Sequence, residues 1–106
     1  ISRGMMISSY VFTSTDLSQE EVSQIYKKEY GKEPFIRLLE SPPEIRLVAG
    51  SNFIDLHIVV RKNVVSITAC LDNLVKGMAG QAIQNINIVC GEDERLGLNI
   101  APLGLL

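Results

Sequence analysis

The sequence predicts an α+β fold, a mixed and mainly antiparallel sheet with helices packed on one face. Three observations predict it. Two runs of alternating apolar residues, Asn52 to Val60 and Val64 to Leu71, flank the short polar link Arg61-Lys62-Asn63 and read as a β-hairpin. A capped amphipathic segment, Asp16 to Gly31, reads as a helix between strand-like runs. A second apolar stripe of helical spacing, Ala79, Ile83, Ile86 and Cys90 with Ala82 and Val89 beside it, follows the hairpin.

With 106 residues the chain holds about one domain and one modest core. Its 46% hydrophobic and 21% charged residues are those of an ordinary folded domain. The mean hydropathy of +0.19 is high for so small a body and points to a surface that is partly covered. A net charge of −2 and a pI near 5.3 argue against nucleic acid or an anionic membrane as partner. No apolar run approaches the ~20 residues of a membrane span, and no signal-peptide pattern is visible, so the expected location is cytoplasmic. Cys70 and Cys90 are expected to be free, buried thiols, because nothing marks a secreted disulfide framework.

The chain opens at Ile1 without an initiator methionine and moves at once into a strand, Met5 to Thr13, an abruptness expected of a fragment. Arg3 reads plainly as an exposed basic residue near a terminus. Ser18 and Glu21 form an S-x-x-E capping box for the first helix, with Leu17 and Val22 placed as a hydrophobic staple. Val22, Ile25, Tyr26 and Tyr30 share one face of it, and Gly31 stops it. Phe35 to Leu39 is a short apolar strand containing Arg37, broken by Ser41-Pro42-Pro43. Glu44 to Val48 reads as a further short, irregular strand.

In the hairpin, Ile54, Leu56, Ile58 and Val60 alternate with Phe53, Asp55, His57 and Val59, giving one apolar and one mixed face. Asp55 and His57 are two apart on that mixed face, and a polar rim is the better reading of them than an acid–base pair. The unusually apolar Val64–Leu71 run implies a sheet face that a second subunit covers, so a homo-oligomer is expected. The acidic run Glu92-Asp93-Glu94 reads as a solvated turn, since consecutive carboxylates do not converge on a metal without a specially shaped loop. The apolar tail Ile100 to Leu106 is expected to pack against a surface supplied by another domain.

The stretch Asp72 to Asn87 organises the rest. It leaves the hairpin, crosses a loop with Asn73 and Lys76, and turns helical at about Gly77 to Gly80. Free N–H groups, the helix dipole and a lysine at such a start suit an anion such as phosphate. A buried helix with a glycine-loosened start is the plainer reading. Gln81, Gln84, Asn85 and Asn87 stand where a solvent-facing helix carries Glu and Lys, which implies a covered surface.

The run DNLVKGMAGQAIQNINIVCGEDERLGL, residues 72 to 98, resembles the C-terminal signature of the N-acetyl-gamma-glutamyl-phosphate reductases. It is equally similar to paralogues that reduce an acyl phosphate held on an amino-group carrier protein in lysine or arginine synthesis. Met78 and Cys90 depart from the usual Ala and Met or Leu. Arg3-Gly4, Glu33-Pro34-Phe35 and Gly50-Ser51-Asn52 extend the resemblance in order over nearly the whole chain.

The resemblance implies that residues 1–106 are one piece of the substrate-binding and oligomerisation domain of an NADP-dependent acyl-phosphate reductase. It implies an N-terminal Rossmann domain as partner, and indeed no G-x-G-x-x-G lies between a strand and a helix here. The implied substrate is a small acyl phosphate or its carrier-linked counterpart, reduced to a semialdehyde. The family's cysteine and histidine lie upstream of Arg-Gly, so no catalytic residue is assigned in this chain, and the chain alone is expected to be inactive. Carried over position by position, Arg3 binds an anionic substrate group, and Asn73, Lys76 and Gly77 lie against the cofactor. Asp72 fixes their loop by accepting backbone N–H bonds. A stand-alone ligand-binding module of the ACT type is the alternative, though the two similar β–α–β halves expected of it are not visible.

Overall fold

The computed structural model describes residues 3–105. Strand β1 (Met5–Phe12) is followed by helix α1 (Gln19–Tyr30) and strand β2 (Ile36–Leu39). The hairpin follows as β3 (Ile54–Arg61) and β4 (Val64–Leu71), and helix α2 (Gly80–Val89) closes the regular structure. The strands form one sheet in the order β1-β4-β3-β2. Both β1–β4 and β3–β4 are antiparallel, while β2 and β3 run parallel. The expected α+β fold with a mixed, mainly antiparallel sheet is therefore the one observed.

Helix α1 starts as its sequence dictates. The Ser18 hydroxyl accepts the Glu21 N–H at 3.1 Å, and the Glu21 carboxylate accepts the Ser18 N–H at 2.9 Å. Only Val22 of the expected apolar face is buried; Ile25 is 63% exposed. Gly31 ends the helix with φ −61°, so no left-handed glycine is involved in the stop. The helix carries the chain from one edge of the sheet to the other. Its Gln19 carboxamide donates to the Ile58 carbonyl at 3.0 Å and accepts the Val60 N–H at 2.9 Å. That one side chain closes the part of the β3 edge that β2 does not reach.

Two expectations fail between β2 and β3. Glu44 to Val48 is no strand: Ile45–Leu47 is a single 3-10 turn, consistent with a segment that follows two prolines and has no ladder partner. Asp55 is not part of a polar rim: it is buried, and its partner is Arg37. The parallel register sets Arg37 opposite Asp55, and the guanidinium grips the carboxylate through Nε at 2.5 Å and Nη2 at 3.0 Å while Nη2 also reaches the Leu47 carbonyl at 2.8 Å. Arg37 also lies 4.5 Å over the Phe53 ring. The described part of the C-terminal tail is anchored in part on this chain, and Leu106 of the expected apolar tail lies outside the described residues. The Leu103 N–H donates to the Ala49 carbonyl at 2.7 Å, and Pro102 and Leu98 are buried.

The deepest side chains are mostly polar, with Ser51, Asn52, Asp55 and Asp72 enclosed beside Val48 and Cys70. A buried charge keeps its place only when paired. Asp55→Ala strands the Arg37 cation. Because Arg37 is one-third exposed, we expect a loss near the lower end of the about 3–5 kcal/mol typical of a broken buried pair, measured by urea unfolding.

Candidate functional site

The β1–β4 register, with Met5 opposite Leu71, brings Arg3-Gly4 against Asp72-Asn73 at one end of the sheet. The Gly4 N–H donates to Asn73 Oδ1 at 2.8 Å, and Arg3 Nη2 meets Asp72 Oδ2 at 2.9 Å. The Arg3 Nε is enclosed without a hydrogen-bond partner. Asp72 itself is fully buried. Its Oδ2 accepts the Gly50 N–H at 2.6 Å, and its Oδ1 accepts those of Leu74 and Val75 at 2.8 and 3.0 Å. Gly50 adopts φ +82°, and a Cβ there would lie 2.6 Å from Leu103 Cγ, so only glycine delivers this N–H. Burial by itself would raise the Asp72 pKa; the N–H bonds from Gly50, Leu74 and Val75 and the charge of Arg3 outweigh it and hold the carboxyl below its ordinary value.

The helix start differs from the expected one. Val75–Ala79 is a π-helical turn that runs straight into α2. In it the Gly77 N–H donates to the Asp72 carbonyl and the Ala79 N–H to the Leu74 carbonyl, both at 3.0 Å. The Gly80 N–H donates to the Val75 carbonyl. Together with the Asp72 cap, these bonds engage the Leu74, Val75, Gly77, Ala79 and Gly80 N–H groups, so Gly77, Ala79 and Gly80 do not offer the free donors expected of them. The reason is register: the helix begins two residues before Gly77, and i→i−5 bonds reach back to close its first turn.

Lys76 turns inward. Its Nζ bonds Gln84 Oε1 at 2.8 Å and lies 5.7 Å from the Phe35 ring centre. Burial lowers its pKa, against the opposing pull of Glu94 and Glu33. The same Gln84 oxygen accepts from Asn52 Nδ2 at 3.0 Å, and Gln84 Nε2 donates to Glu94 at 3.0 Å. Asn87 Nδ2 holds the Glu94 and Leu96 carbonyls at 3.2 and 2.9 Å. A Cβ on Gly80 would sit 2.2 Å from Asn52 Oδ1, so the glycine admits Asn52 against the helix.

Of the residues singled out from sequence, Arg3 and Asn73 lie together at one end of the sheet, with Asn73 and Gly77 exposed. Lys76 is half-buried among the amides. The apolar stripe of α2 is not buried as a core helix would be: Ile83, Ile86, Val89 and Cys90 are exposed. Cys70 is buried, its thiol pushed up by burial and further by the Asp55 charge, whereas Cys90 is a surface thiol and not the buried one expected. Among the described residues no group of acidic, His and Cys side chains could hold a metal, and Asp93 is instead clasped by Arg95 at 2.9 Å. Sequence reasoning missed Gly50, Asn52, Gly80 and Gln84 as the parts that set this end of the molecule. The amide-rich, charge-free composition of α2 was the available signal.

Comparison with known proteins adds to this. Residues 1–73 match a family model described as the semialdehyde dehydrogenase dimerisation domain. Proteins named N-acetyl-gamma-glutamyl-phosphate reductase are similar over nearly the whole chain. That of Lachnoclostridium phytofermentans is 45% identical over 97% of the chain and 31% of its own length. Those of Streptococcus mutans and Archaeoglobus fulgidus are 43% and 42% identical, each over 96% of the chain. The chain thus spans about a third of the length of the relatives it matches.

The Asp72 cluster sets a pH dependence. A carboxyl whose pKa is lowered by folding stabilises the fold above its unfolded value, about 4, and that contribution disappears as pH falls through the folded value. Asp72→Asn is expected to cost about 2 kcal/mol or more at neutral pH, because it removes a charge that four donors share. Between about pH 5 and about pH 2 its stability should fall less steeply than the parent's. Asp93, held at about 2 by Arg95, titrates alike in both proteins, so the difference in urea unfolding isolates Asp72.

Proposed function

This chain belongs to the semialdehyde dehydrogenase dimerisation-domain family, and from that premise we propose that it is the C-terminal substrate-facing and oligomer-forming portion of an NADPH-dependent N-acetyl-gamma-glutamyl-phosphate reductase. The whole enzyme, in this reading, reduces an acyl phosphate to a semialdehyde in arginine synthesis. The observation that carries it is the docking of Arg3-Gly4 onto Asp72-Asn73, which sets a cation and an exposed carboxamide at one end of the sheet.

Each residue then has a task that its surroundings support. Asp72 fixes Arg3 through Nη2, and with Nε enclosed it is the exposed outer part of the guanidinium that is left to engage an anionic substrate group. Asn73 spends Oδ1 on Gly4, and its amide N–H groups stay outward as donors. For a dinucleotide, the residues present fit a contact from the side, through Asn73 and the exposed backbone of Gly77. They do not fit a phosphate cradle built on Gly77 and Gly80, because the N–H groups of Leu74, Val75, Gly77, Ala79 and Gly80 are already bonded. Lys76, tied to Gln84, contributes its positive charge from within and makes no direct grip. A bound nicotinamide would supply the hydride, and the groups that hold its phosphates, the nucleophile and the base belong to the remainder of the polypeptide. Cys70, enclosed and with its thiol form favoured, is unsuited to attack.

The free acetylated substrate is preferred to a carrier-linked one. Ser51, Asn52, Phe53 and Asp55 look somewhat like those of the carrier-linked paralogues, but Ser51, Asn52 and Asp55 are buried and bonded internally, and Phe53 is half-buried against Phe35 and Arg37. The matched relatives are named for the acetylated compound.

Assaying the full-length enzyme with each acyl phosphate tests the reading; turnover with the carrier-linked substrate alone would replace it by the alternative. The 106-residue chain by itself should show no NADPH oxidation with either. In the full-length enzyme, Asn73→Ala should raise the NADPH dissociation constant about tenfold, the scale of one lost hydrogen bond. A variant that binds NADPH like the parent and only unfolds earlier would make Asn73 a packing residue.

A further inference from the structure

Lys76 and Gln84 are eight residues apart in sequence, yet their side chains meet at 2.8 Å. In an unbroken α-helix, residues eight apart point about 80° away from each other around the axis. The wider turn Val75–Ala79 uses less rotation per residue and brings Lys76 round to the side of Gln84. The bond and the π-helical turn therefore depend on each other. Such a turn is rare, and it persists where its surroundings hold it.

The Gln84 carboxamide can be seated in one way only. The Glu94 carboxylate is solely an acceptor, so Nε2 turns to it at 3.0 Å. Oε1 is left for two donors, Lys76 Nζ at 2.8 Å and Asn52 Nδ2 at 3.0 Å. That bond turns the enclosed Asn52 so that its Oδ1 lies against Gly80 without a hydrogen-bond partner. A buried acceptor left unpaired carries a cost. It falls at the first residue of α2, where the π-helical turn ends. The turn and the unpaired oxygen are separate strained features at one joint, and features of this kind gather at functional sites.

The exposed residues Asn73 and Gly77 lie on the loop side of that joint. We propose that Gln84 is a positioning residue for the Asn73–Gly77 face: by gripping Lys76 it keeps the turn in its π register and sets the angle at which Asn73 meets a dinucleotide. If the turn tightened to α-helical bonds, the Gly77, Ala79 and Gly80 N–H groups would each donate one residue nearer. The loop would then rotate relative to α2. This rests on the reading of that face as the cofactor side of a longer reductase.

The test uses the full-length protein. Gln84→Met keeps the reach of the side chain and removes its grip; Gln84→Asn, still polar but too short, stands in where the first does not fold. The double variant Gln84→Glu/Glu94→Gln exchanges the two ends of one bond at constant net charge, so an oxygen still faces Lys76 and Asn52. Losing the grip should raise the NADPH dissociation constant about fivefold or more. It should also speed amide hydrogen exchange over residues 73–80. The exchanged pair should bring both back to within about twofold of the parent. Adding Asn73→Ala to Gln84→Met should weaken binding no further than Asn73→Ala alone, because both act through Asn73. An unchanged dissociation constant, losses that simply add, or no recovery in the exchanged pair would overturn the proposal. Exchange is read without ligand. A parent that binds no NADPH sinks the reductase reading, and unchanged exchange in Gln84→Met sinks the positioning of the turn.

Discussion

The buried carboxylate of Asp72 is the constraint on which this end of the molecule depends. Three segments far apart in sequence end on it: Arg3 before β1, Gly50 before β3, and Leu74 and Val75 at the helix start. Each brings a donor and none could be buried alone without cost. Because the carboxylate is enclosed, every one of those contacts is strong, and each is also conditional on the others. The loop carrying Asn73 is therefore fixed by a group that does not itself face outward. This arrangement holds an exposed amide still without spending it.

The same logic extends along α2. Polar side chains are usually the outer face of a surface helix, yet here Gln84 and Asn87 are the anchors and the isoleucines are outside. Amide anchors suit this purpose better than apolar ones. They specify one rotation of the helix through directional bonds, while an apolar face would slide and compete with the outward stripe for burial. Lys76 and Glu94 meet on Gln84 from opposite sides, which sets an acidic charge near the half-buried ammonium and partly offsets the cost of its burial. The result is a domain whose enclosed centre is strongly polar and whose outer surfaces are unusually apolar. Strand β1 shows it as well, with Tyr10 and Phe12 largely exposed on the sheet edge. A dimerisation-domain family is consistent with such surfaces.

Much of this was legible in the residues alone. Alternation in 52–60 and 64–71 determined the hairpin, because a period of two buries one face only in a strand. Ser18 and Glu21 determined the start of α1, because a capping box is a local device that needs no tertiary partner. The spacing of Ala79, Ile83, Ile86 and Cys90 determined a helix with one apolar face. Tertiary structure decided which way that face points, since the direction depends on Asn52, 32 residues from Gln84, and on the turn that folds Glu94 back onto the helix. It also decided that Asp55 pairs with Arg37 and not with His57, through a parallel register spanning 18 residues. Periodicity fixes the side of a strand a residue lies on; only the assembled sheet fixes what stands opposite.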